Sequence, residues 1–304
     1  MVASPACRRL LKTYPMRFFT FFFLAVSLSF SPLRAEVRIV GSDLLGKDFV
    51  DALNAYSRHN DLGLKVDLMG SESGLEKLRE GLADVGIIIL TPNEKKPEPP
   101  FVVIPVAYQT ATVVVPDSLP LTQITFDQLS GIYVDGADGT IKRWSDLGVT
   151  GEWANRNILP NITGPGGGLS YDLFRHTVLS APALKPTVAV QDSVAATLQR
   201  ITGDEGGIAV MPLLPDGRNG LKALLVGRRA NDVAFGPTSD NLYTVDYPIR
   251  LPIYLVFKKS SAKNLQIVLR YLLSEDAVPL WKGAQLVPLP IQARNQQIFD
   301  LEVL

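Results

Sequence analysis

LKVDLMGSESGLEKLREGLADVGIIIL, residues 64–90, changes its hydrophobic period twice. In LKVDLMG, Leu64, Val66 and Leu68 alternate with other residues, the period of a half-buried strand. In SGLEKLREGLAD, Leu75, Leu78 and Leu82 recur at helical spacing and predict one apolar face. VGIIIL is apolar throughout, as a strand covered on both faces must be. Strand, helix and strand joined by short Gly-containing turns predict a parallel βαβ unit, and with it an α/β fold.

The same alternation extends outward. EVRIVGSD predicts a short buried strand over 37–40, and KDFVDALNAYSRHN (47–60) a helix with Phe49, Leu53 and Tyr56 on one side. TPNEKKPEPP (91–100) is a polar, proline-rich connector. FVVIPVAYQTATVVVP (101–116) gives two β-rich runs that meet near Tyr108 to Thr110, a candidate crossing between two domains. Beyond it come a helix at 125–134, a strand at 158–162, and GPGGGLSYDLF (164–174), which opens a helix over 171–179. A strand at 186–190, a helix at 193–202 and the apolar run GGIAVMPLL follow. YPIRLPIYLVFKK (247–259) is β-rich again and is the candidate return crossing. The last segments, AKNLQIVLRYLLSED and AVPLWKGAQ, are helical.

The chain has 304 residues, 46% hydrophobic and 20% charged, an ordinary globular balance large enough for two modest domains. Its zero formal charge conceals an asymmetry: residues 1–35 hold Arg8, Arg9, Lys12, Arg17 and Arg34 and no acid, leaving 25 basic against 30 acidic residues in the body. That mildly acidic body has no basic stripe, which argues against nucleic acid as a partner. Residues 1–35 read as a signal peptide: a basic region, the apolar run FFTFFFLAVSLSF (18–30), and a small residue, Ala35, before Glu36. An uncleaved anchor is the alternative, although about 13 apolar residues fall short of the ~20 that span a bilayer. Leu33 is not small, which loosens the cleavage position, and Met16 is an alternative start. The expected location is periplasmic or extracytoplasmic. The only cysteine, Cys7, lies inside the exported segment, so the mature chain has no disulfide, thiol nucleophile or Cys-based metal site.

Catalytic signatures are sparse. His59 and His176 are far apart in sequence, and no G-x-S-x-G, HExxH or nucleotide-binding GxxxxGK occurs. Acidic pairs such as Asp204 and Glu205 read as solvated turns. No enzyme, metal or cofactor is expected. One pattern recurs three times: a strand ends in Gly and Ser and a helix begins, at VGSDLLGKDF (Gly41, Ser42), MGSESGLEKL (Ser71, Ser73, Gly74) and GGGLSYDLF (Gly168, Ser170). The first turn of a helix has unpaired N–H groups and a partial positive charge. Serine there caps the helix or donates to a ligand, and glycine lets the backbone approach an anion. In α/β folds ligands sit beyond the carboxyl ends of strands. Asp84 in GLADVGIIIL is either a turn residue or a carboxylate that accepts a hydrogen bond from a protonated oxyanion.

These segments, in order, resemble the periplasmic phosphate-binding proteins of ABC importers, within the type II periplasmic-binding-protein superfamily. The resemblance is carried by IVGSDLL, GSESGLEKLREGLADVGI, PVAYQTATVVVP, TFDQLSGIYVDGADGTIKRWSDLG, GDEGGIAVM, YPIRLPIYLVFKK and YLLSEDAVPLWKGAQLVPLP, nearly the whole chain after residue 35. It implies two α/β lobes, 36–109 with 250–304 and 110–249. Each would be a mixed, mostly parallel sheet flanked by helices, and two hinge strands would join them. It further implies that Ser42, Ser73, Asp84 and Ser170 touch the ligand, with Gly41, Gly74 and Gly168 giving N–H groups or room. Three departures stand out. The family's S-G-T aligns with Gly168, Leu169 and Ser170; its preceding arginine falls near Gly164; and a serine after the A-D strand falls within 87–89. The expected function is an exported, monomeric solute-binding protein that closes on phosphate or a related oxyanion and presents it to an ABC permease. The alternative is a sensor or adaptor domain whose anion site is altered or lost.

Overall fold

The computed structural model describes residues 36–91, 93–136, 139–180, 183–203, 207–217 and 220–304. The expected signal peptide and the pair Asp204 and Glu205 lie outside the described residues. In chain order the elements are β1 (Val37–Gly41), α1 (Gly46–His59), β2 (Leu64–Asp67), α2 (Ser71–Glu80), β3 (Val85–Ile89), β4 (Phe101–Thr110), β5 (Thr112–Pro116), β6 (Gln123–Thr125), α3 (Phe126–Tyr133) and β7 (Leu159–Thr163). There follow α4 (Ser170–Thr177), β8 (Ala189–Gln191), α5 (Val194–Gly203), β9 (Gly207–Met211), β10 (Leu221–Ala223), β11 (Leu225–Gly227), α6 (Ser239–Tyr243) and β12 (Arg250–Lys258). The chain ends with α7 (Ala262–Leu273), α8 (Val278–Gly283), β13 (Val287–Pro288) and α9 (Ile291–Glu302).

Two mixed sheets organise the molecule, one ordered β13-β4-β12-β3-β1-β2 and the other β10-β5-β9-β7-β8. In the first, β1 runs parallel to β2 and β3, as the opening stretch predicts, while β12 is antiparallel to β3 and β4. In the second, β7 is parallel to β8 and β9, and β5 is antiparallel to β9 and β10. Strands that alternate with helices are therefore parallel, and the strands at and beside the crossing, β4, β5 and β12, are antiparallel to their neighbours. A small parallel pair, β6 with β11, lies apart from both sheets.

The apolar run of β3 has the physical cause expected of it. Ile87 packs with Phe49, Leu53, Leu269 and Trp281 on one face, and Ile88 packs with Val40, Leu78 and Val256 on the other. The second sheet repeats this: Val113, Ile162 and Val210 face a cluster with Tyr133, Trp144 and Phe174, while Val114, Ala209 and Met211 face Leu198 and Ile201.

The chain leaves the first sheet at Thr110 and returns at Arg250, and these two residues are register partners in β4 and β12. Buried hydrogen bonds lock the crossing. The Thr110 hydroxyl donates to the Ile249 carbonyl at 2.9 Å and the Tyr247 hydroxyl to the Ala111 carbonyl at 2.7 Å. Burial pushes the Tyr247 hydroxyl far above its ordinary pKa, so it stays a neutral donor.

Two expectations need correction, and one helix was not expected at all. Leu82 is not on the face of α2: that helix stops at Glu80, because Gly81 adopts φ 75° and donates its N–H to the Leu78 carbonyl. Leu82 is 56% exposed as a result. The strand expected at 186–190 begins only at Ala189 and ends at Gln191. The terminal helix α9 has no apolar stripe to announce it; it is held by Leu301 in the core and by buried Arg294, which pairs with Glu275.

Candidate functional site

Two of the Gly/Ser junctions meet at the carboxyl ends of β1 and β3. Gly41 adopts φ 151°, and a Cβ there would lie 2.0 Å from the Ile87 carbonyl oxygen, so only glycine fits between the two strands. The Ser42 N–H donates to that same carbonyl at 3.0 Å, and its buried hydroxyl accepts from the Leu44 N–H at 3.3 Å, capping the 3-10 turn Asp43–Leu45. The Ser71 hydroxyl, on the first residue of α2, accepts from the Ile89 N–H at 3.0 Å. Gly74 abuts Gly41: a Cβ on it would sit 3.2 Å from the Gly41 Cα and N. Its own N–H donates to the Gly70 carbonyl, so Gly74 gives room rather than a donor. Ser73 is half-buried in the first turn of α2. Ser42 and Ser71 use a lone pair on the backbone, which leaves each O–H free in direction to donate to an anion.

The third junction stands at the carboxyl end of β7. Gly164 is buried, and its N–H donates to the Gln191 carbonyl at 2.8 Å. Pro165–Gly167 form a 3-10 turn, closed by the Gly168 N–H on the Pro165 carbonyl at 3.2 Å. Gly168, at φ 106°, thus serves the turn that feeds α4. The first bond into α4 runs from the Leu173 N–H to the Leu169 carbonyl, so the N–H groups of Tyr171 and Asp172 point out of the helix's positive end. Ser170 opens the helix. Its hydroxyl is buried, caps nothing, and has no hydrogen-bond partner among the described residues. A buried hydroxyl without a partner costs free energy, which a ligand oxygen would recover.

Asp84 does not join these residues. It stands at the amino end of β3, near Arg38 of β1, whereas Gly41 lies beside Ile87 farther along the pair. Its carboxylate accepts from the Arg38 backbone N–H at 2.8 Å and from the Arg38 guanidinium at 3.1 and 3.2 Å. Burial alone would raise the Asp84 pKa, but the hydrogen bonds and charge of Arg38 outweigh it and hold the carboxyl below its ordinary range. Its role is to clip the amino ends of two parallel strands. His59 and His176 are both exposed, in the last turns of α1 and α4.

The carboxyl end of β3 and the helix α4 face one space. Leu90 and Thr91, just after β3, and Leu173 and Thr177 of α4 line a single cavity of about 410 Å³. The Arg, Lys and Tyr residues that complete its wall come from distant segments and were not singled out by any sequence pattern.

A mixed sheet with helices opening at its parallel strand ends, two long strands at whose ends the chain crosses to and from a second mixed sheet, and Gly/Ser junctions on both sides define the architecture. The profile of the PBP superfamily domain matches residues 30–276. The chain belongs to this superfamily. The phosphate-binding protein PstS of Pseudomonas aeruginosa is 22% identical over 287 residues, covering 89% of this chain and 88% of that one. Among solved structures, PstS from Borrelia burgdorferi superposes with a TM-score of 0.62 at 17% identity, covering 84% of this chain and 98% of that one. An ABC-type phosphate transport receptor from Vibrio cholerae gives a TM-score of 0.57 at 21% identity, with 84% and 100% covered. The two-lobe α/β fold of the superfamily is thus the fold of this chain.

Proposed function

We propose that this chain is an exported solute-binding protein of a phosphate-type ABC importer. It holds a phosphate or related oxyanion between the Gly/Ser junctions of its two sheets and presents the closed form to a membrane permease. One observation carries the reading: the buried, unpartnered Ser170 hydroxyl at the positive end of α4, directly after a glycine-rich turn. An anion there is stabilised by the helix end, by the open N–H groups of Tyr171 and Asp172, and by the hydroxyl. Ser42, Ser71 and Ser73 would supply donors from the other side. Closure follows if the ligand contacts both sides only when they approach, because a ligand shifts an equilibrium only by its differential affinity. This is binding, not turnover, and the similarity to phosphate-binding proteins of two bacteria supports it.

Isothermal titration of the purified protein with inorganic phosphate tests the reading. Saturable heat whose affinity falls roughly ten- to a hundredfold in a Ser170→Ala variant supports it. A folded protein that gives no heat at millimolar phosphate overturns it. The alternative, a sensor or adaptor domain with an altered site, is favoured by the end of β3: Ile87, Ile88, Ile89 and Leu90 offer no polar side chain there, and Asp84 is committed to Arg38.

A further inference from the structure

The 410 Å³ cavity between the end of β3 and α4 has room for about a dozen water-sized volumes, far more than a tetrahedral ion fills. Three cations line it, Lys96, Arg228 and Arg250, against a single carboxylate, Glu94. Glu94 is already engaged, accepting from the Thr91 N–H, and that hydrogen bond holds it below the ordinary carboxylate range. None of the three cations has a carboxylate partner among the described residues. Each instead lies over an aromatic ring: Lys96 over Tyr254 at 4.8 Å, Arg228 over Phe126 at 5.7 Å and Arg250 over Tyr108 at 5.1 Å. A ring holds a guanidinium by its face and leaves the in-plane N–H groups for an acceptor; Arg250 already spends one of its own, from Nη1, on the Leu242 carbonyl, while Arg228 has no such bond among the described residues. Unpaired cations converging on one cavity repel one another, and an anion removes that cost.

Leu90, Leu173 and Val245 give the wall an apolar part, with Thr91 and Thr177 beside them. Val245 is a β-branched residue at φ 71° and 58% exposed, a strained conformation held at the rim. Such strain persists where the surrounding structure needs the shape it gives.

We infer that this cavity binds a small organic anion, with an oxyanion head on Arg228 and Arg250 and an apolar body against Leu90 and Leu173. Flat guanidinium forks grip a carboxylate or a phosphate ester alike. Leu173 and Thr177 lie on α4, but no glycine or serine of the Gly/Ser junctions lines the cavity, so it stands or falls apart from the phosphate reading.

The test is calorimetric titration of the protein with phenyl phosphate, benzoate and inorganic phosphate, repeated on Arg228→Gln and Ser170→Ala. Arg228 is exposed, so its replacement leaves the fold intact, which circular dichroism verifies. The expected result is saturable binding of one or both organic probes, weakened about tenfold or more by Arg228→Gln and unaffected by Ser170→Ala. Which probe binds decides between the ester and the carboxylate head. Any binding of inorganic phosphate should show the reverse sensitivity. The inference is overturned if neither organic probe binds at millimolar concentration, or if Arg228→Gln and a second variant, Lys96→Gln, both bind as the wild type does.

Discussion

Replacing Ser170 with alanine should make the ligand-free protein more stable and the ligand-bound protein weaker. Ser170 is 1% exposed, and its buried hydroxyl makes no cap and finds no acceptor or donor among the described residues. Leaving a buried polar group unmatched costs about 1–3 kcal/mol, and a freely rotating hydroxyl belongs at the low end, about 1 kcal/mol. For a chain of this size that is a rise in Tm of roughly 2–4 °C in phosphate-free buffer. Bound to an anion, the same hydroxyl makes a charge-assisted hydrogen bond worth about 1.5–3 kcal/mol, so its loss weakens affinity roughly ten- to a hundredfold. At phosphate a hundred times the wild-type Kd, ligand adds about 2.7 kcal/mol to the wild type. A variant ten- to a hundredfold weaker gains only about 1.4 to 0.4 kcal/mol by the same relation. The order of the two melting curves should therefore reverse between phosphate-free and phosphate-saturated buffer. Differential scanning calorimetry in both buffers reads this directly. If the variant melts more than about 1 °C below the wild type without phosphate, the hydroxyl already has a native partner and the reasoning fails.

Three further outcomes follow from the geometry. Gly41→Ala places a Cβ 2.0 Å from the Ile87 carbonyl oxygen and should cost about 3–5 kcal/mol, whereas Gly168→Ala, with open space around it, should cost only the torsional ~1–2 kcal/mol; urea midpoints at constant m separate the two. Asp84→Asn should cost about 1 kcal/mol at pH 7, because the Arg38 pair is partly exposed, and leave phosphate affinity unchanged. The Asp84 pKa is depressed in the folded state, so this stabilisation is present at neutral pH and is lost as pH falls through the acid range. The wild-type and variant stabilities should then converge as the pH falls below the ordinary carboxylate range, read in urea titrations. Val245→Gly should gain about 0.5–1 kcal/mol, as relief of the left-handed strain at φ 71° exceeds the entropy glycine adds to the unfolded chain; a loss of stability would mean the loop is not strained.

Local patterns made much of the fold legible. Leu78 is buried and Leu75 half-buried on α2, and VGIIIL is covered on both faces, because period alone tells a helix from a strand and a one-sided from a two-sided sheet. Gly41, Ser42, Ser71 and Gly168 do stand at strand–helix junctions, since Gly and Ser there answer to backbone geometry that any strand-to-helix turn imposes. The same patterns misled at Leu82, where a left-handed Gly81 ends the helix before the leucine spacing does.

What the amino-acid order determined by itself was the alternation of strands and helices and the places where each strand hands over to a helix. Those depend on residues a few positions apart. Only the tertiary structure decided what the junction residues do. It spends the Gly74 and Gly168 N–H groups on the backbone, leaves the Ser170 hydroxyl without a partner, and sends Asp84 to Arg38 at the far end of the sheet. It also gathers Lys96, Arg228 and Arg250 from three distant segments around one cavity. Burial and partnership are properties of contacts between segments far apart in the chain, and no local period records them.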